Sequence, residues 1–120
     1  MGTHQRLKEM PIMSLSLPES IATYFEISNG GDDTHLTDCF TQDARVFDEK
    51  ETHQGHTAIQ SWLRAARRKF EYRVTPISID QQGNTVMVAT TVTGNFPGSP
   101  VQLDQTFQLA GEQIQSLEIH

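Results

Sequence analysis

A change in the spacing of apolar residues near Phe70 is the feature that most constrains how this chain folds. Before Phe70, apolar side chains recur every three or four residues, which is typical of amphipathic helices. After it, apolar and polar side chains alternate, and short turns separate the alternating runs, which predicts antiparallel strands. Helices followed by a meander of strands predict an α+β fold, in which three N-terminal helices pack against a curved sheet and form a cone with it.

Two helices are predicted in the first forty residues. The apolar side of the first one recurs at helical spacing, at Leu17, Ile21, Tyr24 and Phe25. Ser16 and Glu19 match a capping box at its start, and Gly30-Gly31 matches the left-handed residue that ends many helices. Asp32 or Asp33 then caps a short second helix, because an aspartate side chain accepts hydrogen bonds from free backbone N–H groups.

A third helix and five strands account for the rest of the fold. A single apolar stripe predicts the third helix from Thr57 to Phe70, comprising Ile59, Trp62, Leu63, Ala66 and Phe70. Residues 43–48 alternate and predict a strand, and the polar stretch Glu49–Gly55 after it predicts a loop. The remaining predicted strands cover residues 72–80, 85–95, 101–110 and 113–119.

The composition bounds the class of protein. A chain of 120 residues predicts one domain, over residues 16–120, after a flexible tail over residues 1–15. No apolar run is long enough to span a membrane, and the net charge of −6 argues against binding to nucleic acid. The single cysteine, Cys39, excludes an internal disulfide and a zinc site built on cysteines. Because no signal segment is evident, we expect a cytoplasmic protein. We also expect that it needs no cofactor.

The negative charge lies in the first half of the chain. Residues 1–60 carry ten acidic and four basic side chains, whereas residues 61–120 carry five of each. A cone of this kind encloses an apolar pocket that is suited to a small ligand. The charge imbalance favours a neutral, apolar ligand over an anion, unless the basic segment Arg64–Arg73 lies near the mouth of this pocket. Basic side chains at the end of a helix also complement its dipole and usually lie on a solvated face.

Two side chains are candidates for chemistry in the predicted pocket. Asp48 shares a strand face with Ala44 and Val46, so it lies at the inner wall of the cone if those two residues face the core. A carboxylate there suits a general base, and the alternative is an aspartate that faces solvent at a strand end. Tyr24 lies on the buried side of the first helix, where its phenol either binds a ligand oxygen or packs with its hydroxyl held by a neighbour.

Two histidines give a weak indication of a metal site. His53 and His56 lie three residues apart, but Gly55 between them favours a loop, and no third ligand is evident. We therefore predict no metal site. No glycine-rich phosphate loop or nucleophile elbow is present in the sequence.

Three motifs resemble those of the nuclear-transport-factor-2-like superfamily, which includes SnoaL-like polyketide cyclases and ketosteroid isomerases. They are Asn29-Gly-Gly-Asp32, the run from Cys39 to Asp48 with the pattern F-x-x-D-A-x-V-x-D, and Gly55 to Trp62 with the pattern G-x-x-A-I-x-x-W. The resemblance covers roughly 100 residues and implies a cystatin-like cone around a hydrophobic pocket. It also implies a homodimer formed through the outer face of the sheet, which here carries Met87, Thr91, Thr93 and Gln102.

The resemblance also implies an active site. Tyr24 and Asp48 fall where ketosteroid isomerases carry the tyrosine of the oxyanion hole and the general base. At the third position, Gln105 shares the apolar strand face and Asp104 does not, so an amide replaces the family's carboxylic acid. The apolar pocket wall is predicted to comprise Phe25, Val46, Trp62, Leu63 and Phe107. We therefore expect isomerase- or cyclase-like proton transfer next to a carbonyl, the alternative being a non-catalytic ligand-binding or dimerisation module.

Overall fold

The computed structural model describes residues 16–120. The tail predicted over residues 1–15 lies outside that range, and the single domain over residues 16–120 stays a prediction. The helices are α1 (Glu19–Ser28), a 3₁₀ helix (Asp33–Cys39) and α2 (His56–Lys69). The strands are β1 (Phe40–Asp48), β2 (Glu51–Gln54), β3 (Tyr72–Gln82), β4 (Thr85–Gly94), β5 (Val101–Ala110) and β6 (Gln113–Ile119).

The six strands form one mixed, curved sheet in the order β2-β1-β6-β5-β4-β3. Strands β1 and β6 run parallel, and every other neighbouring pair is antiparallel. Shifts in pairing register interrupt β3, β5 and the β1–β6 pair, and such irregularities bend a sheet. The predicted α+β fold, with helices against the concave face of a curved sheet, is confirmed.

The ends of the first two helices follow local chemistry, with one correction. Helix α1 begins after Pro18 and has no side-chain cap, so the predicted capping box of Ser16 and Glu19 is wrong. Ser16 lies two residues before the cap, too early for its hydroxyl to reach the first free N–H groups. Gly30 has a φ of 107° and follows the helix as expected. Asp32 caps the 3₁₀ helix by accepting a hydrogen bond from the Thr34 N–H at 3.0 Å.

The segment from Glu49 to Gly55 is a hairpin where we expected a loop. Glu49 and Lys50 both have positive φ angles, of 52° and 68°, which is the backbone of a tight two-residue turn. This turn folds β2 back on β1, with Glu51 opposite Asp48. The sequence hid the turn because neither position carries the glycine or asparagine that usually marks it.

The core lies between the helices and the concave face of the sheet. The four strand residues Val46, Val88, Phe107 and Leu117 on this face are at most 1% exposed. Helices α1 and α2 cover them with a second set of buried side chains, comprising Ile21, Tyr24, Phe25, Ile59 and Leu63. Within residues 16–120, no helix is long and apolar enough to cross a membrane.

Candidate functional site

The concave face changes from apolar to polar at one end. On β1, buried Val46 is followed two residues later by half-buried Asp48, and on β5 buried Phe107 is preceded two residues earlier by Gln105. Residues two apart on a strand share a face, so both polar side chains point toward the helices. We call Val46, Val86, Phe107 and Leu117, which lie side by side across the sheet, the apolar half of this face. We call Asp48, Gln105, Tyr24, Trp62 and Tyr72 the polar end.

Asp48 faces inward, as its shared face with Ala44 and Val46 predicts. The indole Nε1 of Trp62 donates a hydrogen bond to Asp48 Oδ2 at 3.1 Å. Helix α2 carries Trp62 on its apolar stripe and so places the indole over the last residue of β1. The bond fixes one carboxylate oxygen and leaves Oδ1 for other partners.

Tyr24 packs in an aromatic cluster beside Asp48. Its ring lies nearly parallel to that of Trp62, with centroids 6.5 Å apart and 7° between the planes, and it meets the edge of Phe107 at 5.8 Å. Burial raises the pKa of the Tyr24 phenol well above its usual value, the Ser28 hydroxyl opposes this shift, and the charge of Asp48 adds to it. The phenol is therefore neutral at physiological pH, and its O–H can donate a hydrogen bond to an acceptor.

Two further residues lie in this region, although the sequence analysis did not place them there. Tyr72 is the first residue of β3, and burial raises the pKa of its phenol. The charge of Arg67 partly opposes this shift, and the charge of Asp48 adds to it. His53 pairs with Val46 across the β1–β2 ladder, and its ring centroid is 6.0 Å from that of Trp62. The alternation that pairs Tyr72 with Val74 could have placed its side chain inward, but His53 required knowledge of the hidden hairpin.

Gln105, rather than Asp104, occupies the inner face of β5. Gln105 is 3% exposed, and Asp104 is exposed on the outer face. The Gln105 Oε1 atom is buried without a hydrogen-bond partner among the described residues. A buried amide oxygen without a partner costs about 1–3 kcal/mol, so this group is an exception to how the rest of the face is built.

The residues predicted to line the pocket fall into two groups. Phe25, Val46, Leu63 and Phe107 are between 0% and 4% exposed and form the core beneath the polar end. Trp62 is half-buried and presents part of its indole to solvent next to Asp48. Direct contact between a ligand and the four core residues stays a prediction.

The histidines considered for a metal have other surroundings. His56 Nε2 lies 3.0 Å from the backbone carbonyl of Phe40, while His53 lies against Trp62. Across residues 16–120, no three side chains of histidine, cysteine, aspartate or glutamate form a group that could hold a metal ion.

Two surface clefts lie outside the polar end. One, of about 530 Å³, lies between the Gly30–Asp33 loop and the last turns of α2. The other, of about 880 Å³, lies between α1 and the turn that joins β5 to β6. Neither is lined by Asp48 or Gln105.

The architecture defines a class of protein with many solved structures. A Catenulispora acidiphila protein with a ketosteroid isomerase-like fold, solved with trimethylamine, has a TM-score of 0.76 and 20% identity, covering 88% of this chain and 86% of that one. An epoxide hydrolase/cyclase-like enzyme of pyran ring formation in the polyether salinomycin has a TM-score of 0.70 and 22% identity, covering 99% and 92%. At these identities, the likeness shows the nuclear-transport-factor-2-like fold alone.

A family model and a nearer structure narrow that class. The model of the SnoaL-like domain matches residues 21–115, and the chain belongs to this family. A Sinorhizobium meliloti protein described as a candidate polyketide cyclase is 36% identical, with a TM-score of 0.83 over 87% of this chain and 95% of that one. None of the curated proteins matches the chain.

Proposed function

We propose that this chain is an isomerase- or cyclase-like enzyme that transfers a proton next to a carbonyl on a small, mostly apolar molecule. The observation that carries the proposal is the position of Asp48. It ends an otherwise apolar strand face, and both tyrosine phenols of the polar end lie within range of its charge. Polar groups that converge at the edge of an apolar concavity are the usual setting for a small-molecule site.

In this proposal Asp48 is the general base. Its Oδ1 accepts the proton from the carbon next to the substrate carbonyl, while the Trp62 N–H holds Oδ2 in place. A base with one oxygen fixed keeps its orientation as the proton moves, which favours reaction from a single bound geometry.

Tyr24 and Gln105 hold the oxygen on which negative charge develops. Burial raises the pKa of the Tyr24 phenol, so the phenol remains protonated and can donate a hydrogen bond to this oxygen. The Gln105 amide lies two residues from Phe107, whose ring contacts Tyr24, and its N–H groups are the donors that it would supply to this oxygen. Donors that are fixed before the reaction begins stabilise a developing oxyanion without reorganisation.

The reaction moves one proton and one electron pair and changes no oxidation state overall, so it requires no redox cofactor. The electron pair of the broken C–H bond forms a carbon–carbon double bond, and the carbonyl oxygen becomes an enolate oxygen. The proton on Asp48 then returns to a more distant carbon, which completes an isomerisation. Alternatively, the enolate carbon attacks a second carbonyl of the same molecule, and the proton goes to the new alkoxide, which closes a ring.

The experiment measures proton exchange and turnover with enone steroids and polyketide-like ketones. Exchange of the proton next to the carbonyl for deuterium, followed by NMR, reports the first step alone. Asp48→Asn should slow it by about 10²–10⁴-fold, and Tyr24→Phe by about 10²–10³-fold. Asp104→Asn, on the exposed face, is the matched control and should leave the rate unchanged. Equal rates for Asp48→Asn and the unaltered chain would overturn the catalytic proposal.

The second candidate is a binding module without catalysis. It is favoured by the amide at Gln105, because an amide is a weaker donor to an enolate than a neutral carboxylic acid is. Saturable binding of the same ketones with no deuterium exchange would support it over the enzyme.

A homodimer formed through the outer face of the sheet belongs to the same proposal. Met87, Thr93 and Gln102 are exposed on this face, and Thr91 is half-buried there. Ile77 and Met87 are 54% and 47% exposed, so they offer apolar area that a partner could bury. Light scattering should give twice the mass of the chain, and Met87→Glu should lower it. A monomer at micromolar concentration would contradict this.

A further inference from the structure

Three arginines of helix α2 line the cleft at the Gly30–Asp33 loop. This cleft of about 530 Å³, which we call the arginine cleft, is bounded by Gly30, Gly31, Asp32, Asp33, Arg64, Arg67 and Arg68. The residues come from two segments that meet because the Gly30-Gly31 turn folds the chain back toward α2. Gly30 adopts a φ of 107°, which is accessible to glycine and strained for other residues.

The charges in this cleft do not cancel. The Asp33 carboxylate accepts two hydrogen bonds from Arg64, at 2.7 and 3.2 Å, and this pairing lowers the pKa of Asp33. Asp32 is engaged as the cap of the 3₁₀ helix through the Thr34 N–H. Arg67 and Arg68 form no ion pair with any residue in the range 16–120. The cleft therefore keeps a positive wall opposite one exposed carboxylate.

Arg67 is held in place rather than free in solvent. Its Nη1 donates a hydrogen bond to the Gly31 carbonyl at 3.1 Å, and the side chain is half-buried. The remaining N–H groups of the guanidinium stay available, in the planar fork that matches a carboxylate or a phosphate. A fixed guanidinium loses less conformational entropy on binding than a mobile one does.

We infer that the arginine cleft binds an oxyanion, a carboxylate or a phosphate, through Arg67 and Arg68. The inference goes beyond the proposed function and does not depend on it. The cleft lies near the polar end, because Asn29, the residue before Gly30, exchanges two hydrogen bonds with the backbone of Val74, two residues from Tyr72. The oxyanion thus has two possible sources: a free anion, or an acidic group on the molecule that reaches Asp48. If the acidic group belongs to the molecule that reaches Asp48, that ligand has an apolar body and an acidic end and is not the neutral molecule that the sequence favours.

Binding of simple anions tests the site directly. Inorganic phosphate and acetate are titrated separately into the full chain, and amide shifts are followed by NMR. We expect saturable shifts at the Gly30–Asp33 loop. Arg68→Gln should weaken the affinity by about tenfold or more, because it removes a charge-assisted hydrogen bond. Arg67→Lys keeps the charge but loses the planar fork, and should also weaken it.

Lys69→Gln is the matched control for net charge. Lys69 is the next residue of the helix, lies over the Phe70 ring at 5.2 Å and does not line the cleft. The Lys69→Gln variant should bind the anions within about twofold of the unaltered chain. A diffuse electrostatic attraction would instead be weakened equally by Lys69→Gln and by Arg68→Gln. Equal losses in Lys69→Gln and Arg68→Gln, or no saturable binding of either anion, would overturn the inference.

A matched acid and methyl ester distinguish the two sources. If the oxyanion belongs to the molecule that reaches Asp48, an enone acid should bind more tightly than its ester, and Arg68→Gln should remove the difference. If the source is a free anion, phosphate should bind without competing with the ester. Asp48→Asn should keep anion binding in both cases, so failure of the proposed catalysis and failure of this site are separable.

Discussion

Strands β1 and β5 each contribute one residue to the apolar half of the concave face and one to the polar end, and the two kinds of residue have opposite requirements for hydrogen bonding. In the apolar half, Val46 and Phe107 are fully buried and make no demand for hydrogen bonds. Asp48, two residues from Val46, accepts a hydrogen bond from Trp62 of helix α2. Gln105, two residues from Phe107, has a buried oxygen that accepts no hydrogen bond from the described residues. Alternation alone therefore produces both the core and the candidate site, and only the side-chain chemistry separates them.

The largest expected effect lies in the apolar half. Phe107→Ala should lower the free energy of unfolding by about 3–5 kcal/mol, because it leaves a cavity against the Tyr24 and Phe25 rings. Urea denaturation measures this loss. Asp104→Ala, exposed on the same strand, should change stability by less than about 0.5 kcal/mol. Similar losses at the two positions would mean that β5 does not divide into a buried and an exposed face.

A smaller effect is expected where the backbone supports the polar end. Gly94 lies opposite Tyr72 in the β3–β4 ladder, and an added Cβ would overlap the Glu71 carbonyl and the Tyr72 backbone. Gly94→Ala should therefore cost about 1–3 kcal/mol and displace Tyr72. The measurement combines urea denaturation with the NMR shifts of the Tyr72 ring. Thr93→Ala, exposed on the same strand, should cost under about 1 kcal/mol and leave those shifts in place.

Much of this face could be predicted from the sequence, because a period of two assigns side chains to faces wherever a strand is recognised. It placed Asp48 inward and chose Gln105 over Asp104. The bond between Trp62 and Asp48 could not be predicted, since it depends on how α2 crosses the end of β1. His53 was missed for a local reason, because the Glu49-Lys50 turn carries none of the usual turn residues.

A pH-dependent effect on stability is expected at Cys39, the buried last residue of the 3₁₀ helix. Burial raises the pKa of the Cys39 thiol from 9.0 to about 11, with a smaller contribution from Asp38. The folded state then holds the thiol proton more tightly than the unfolded state does, so this stabilisation is complete below pH 9 and is lost as the pH rises to about 11. Urea denaturation from pH 8 to 11 should show the decline, and Cys39→Ala should reduce it. An identical decline in Cys39→Ala would assign it to other groups.

The smallest expected effects on stability come from two buried polar side chains of the concave face, Thr90 and Gln105. Thr90 is 1% exposed, and its Oγ1 donates to the Leu103 carbonyl at 2.7 Å, so Thr90→Val should cost about 1 kcal/mol by leaving that carbonyl without its partner. Gln105→Leu removes an oxygen that has no partner and should increase stability by about 1 kcal/mol, while it lowers the rate of proton exchange. A gain in stability with a loss of exchange would mean that Gln105 is retained for the ligand. A loss of stability like that of Thr90→Val would instead assign Gln105 to the core, and the polar end would then consist of Asp48 and the aromatic side chains around it.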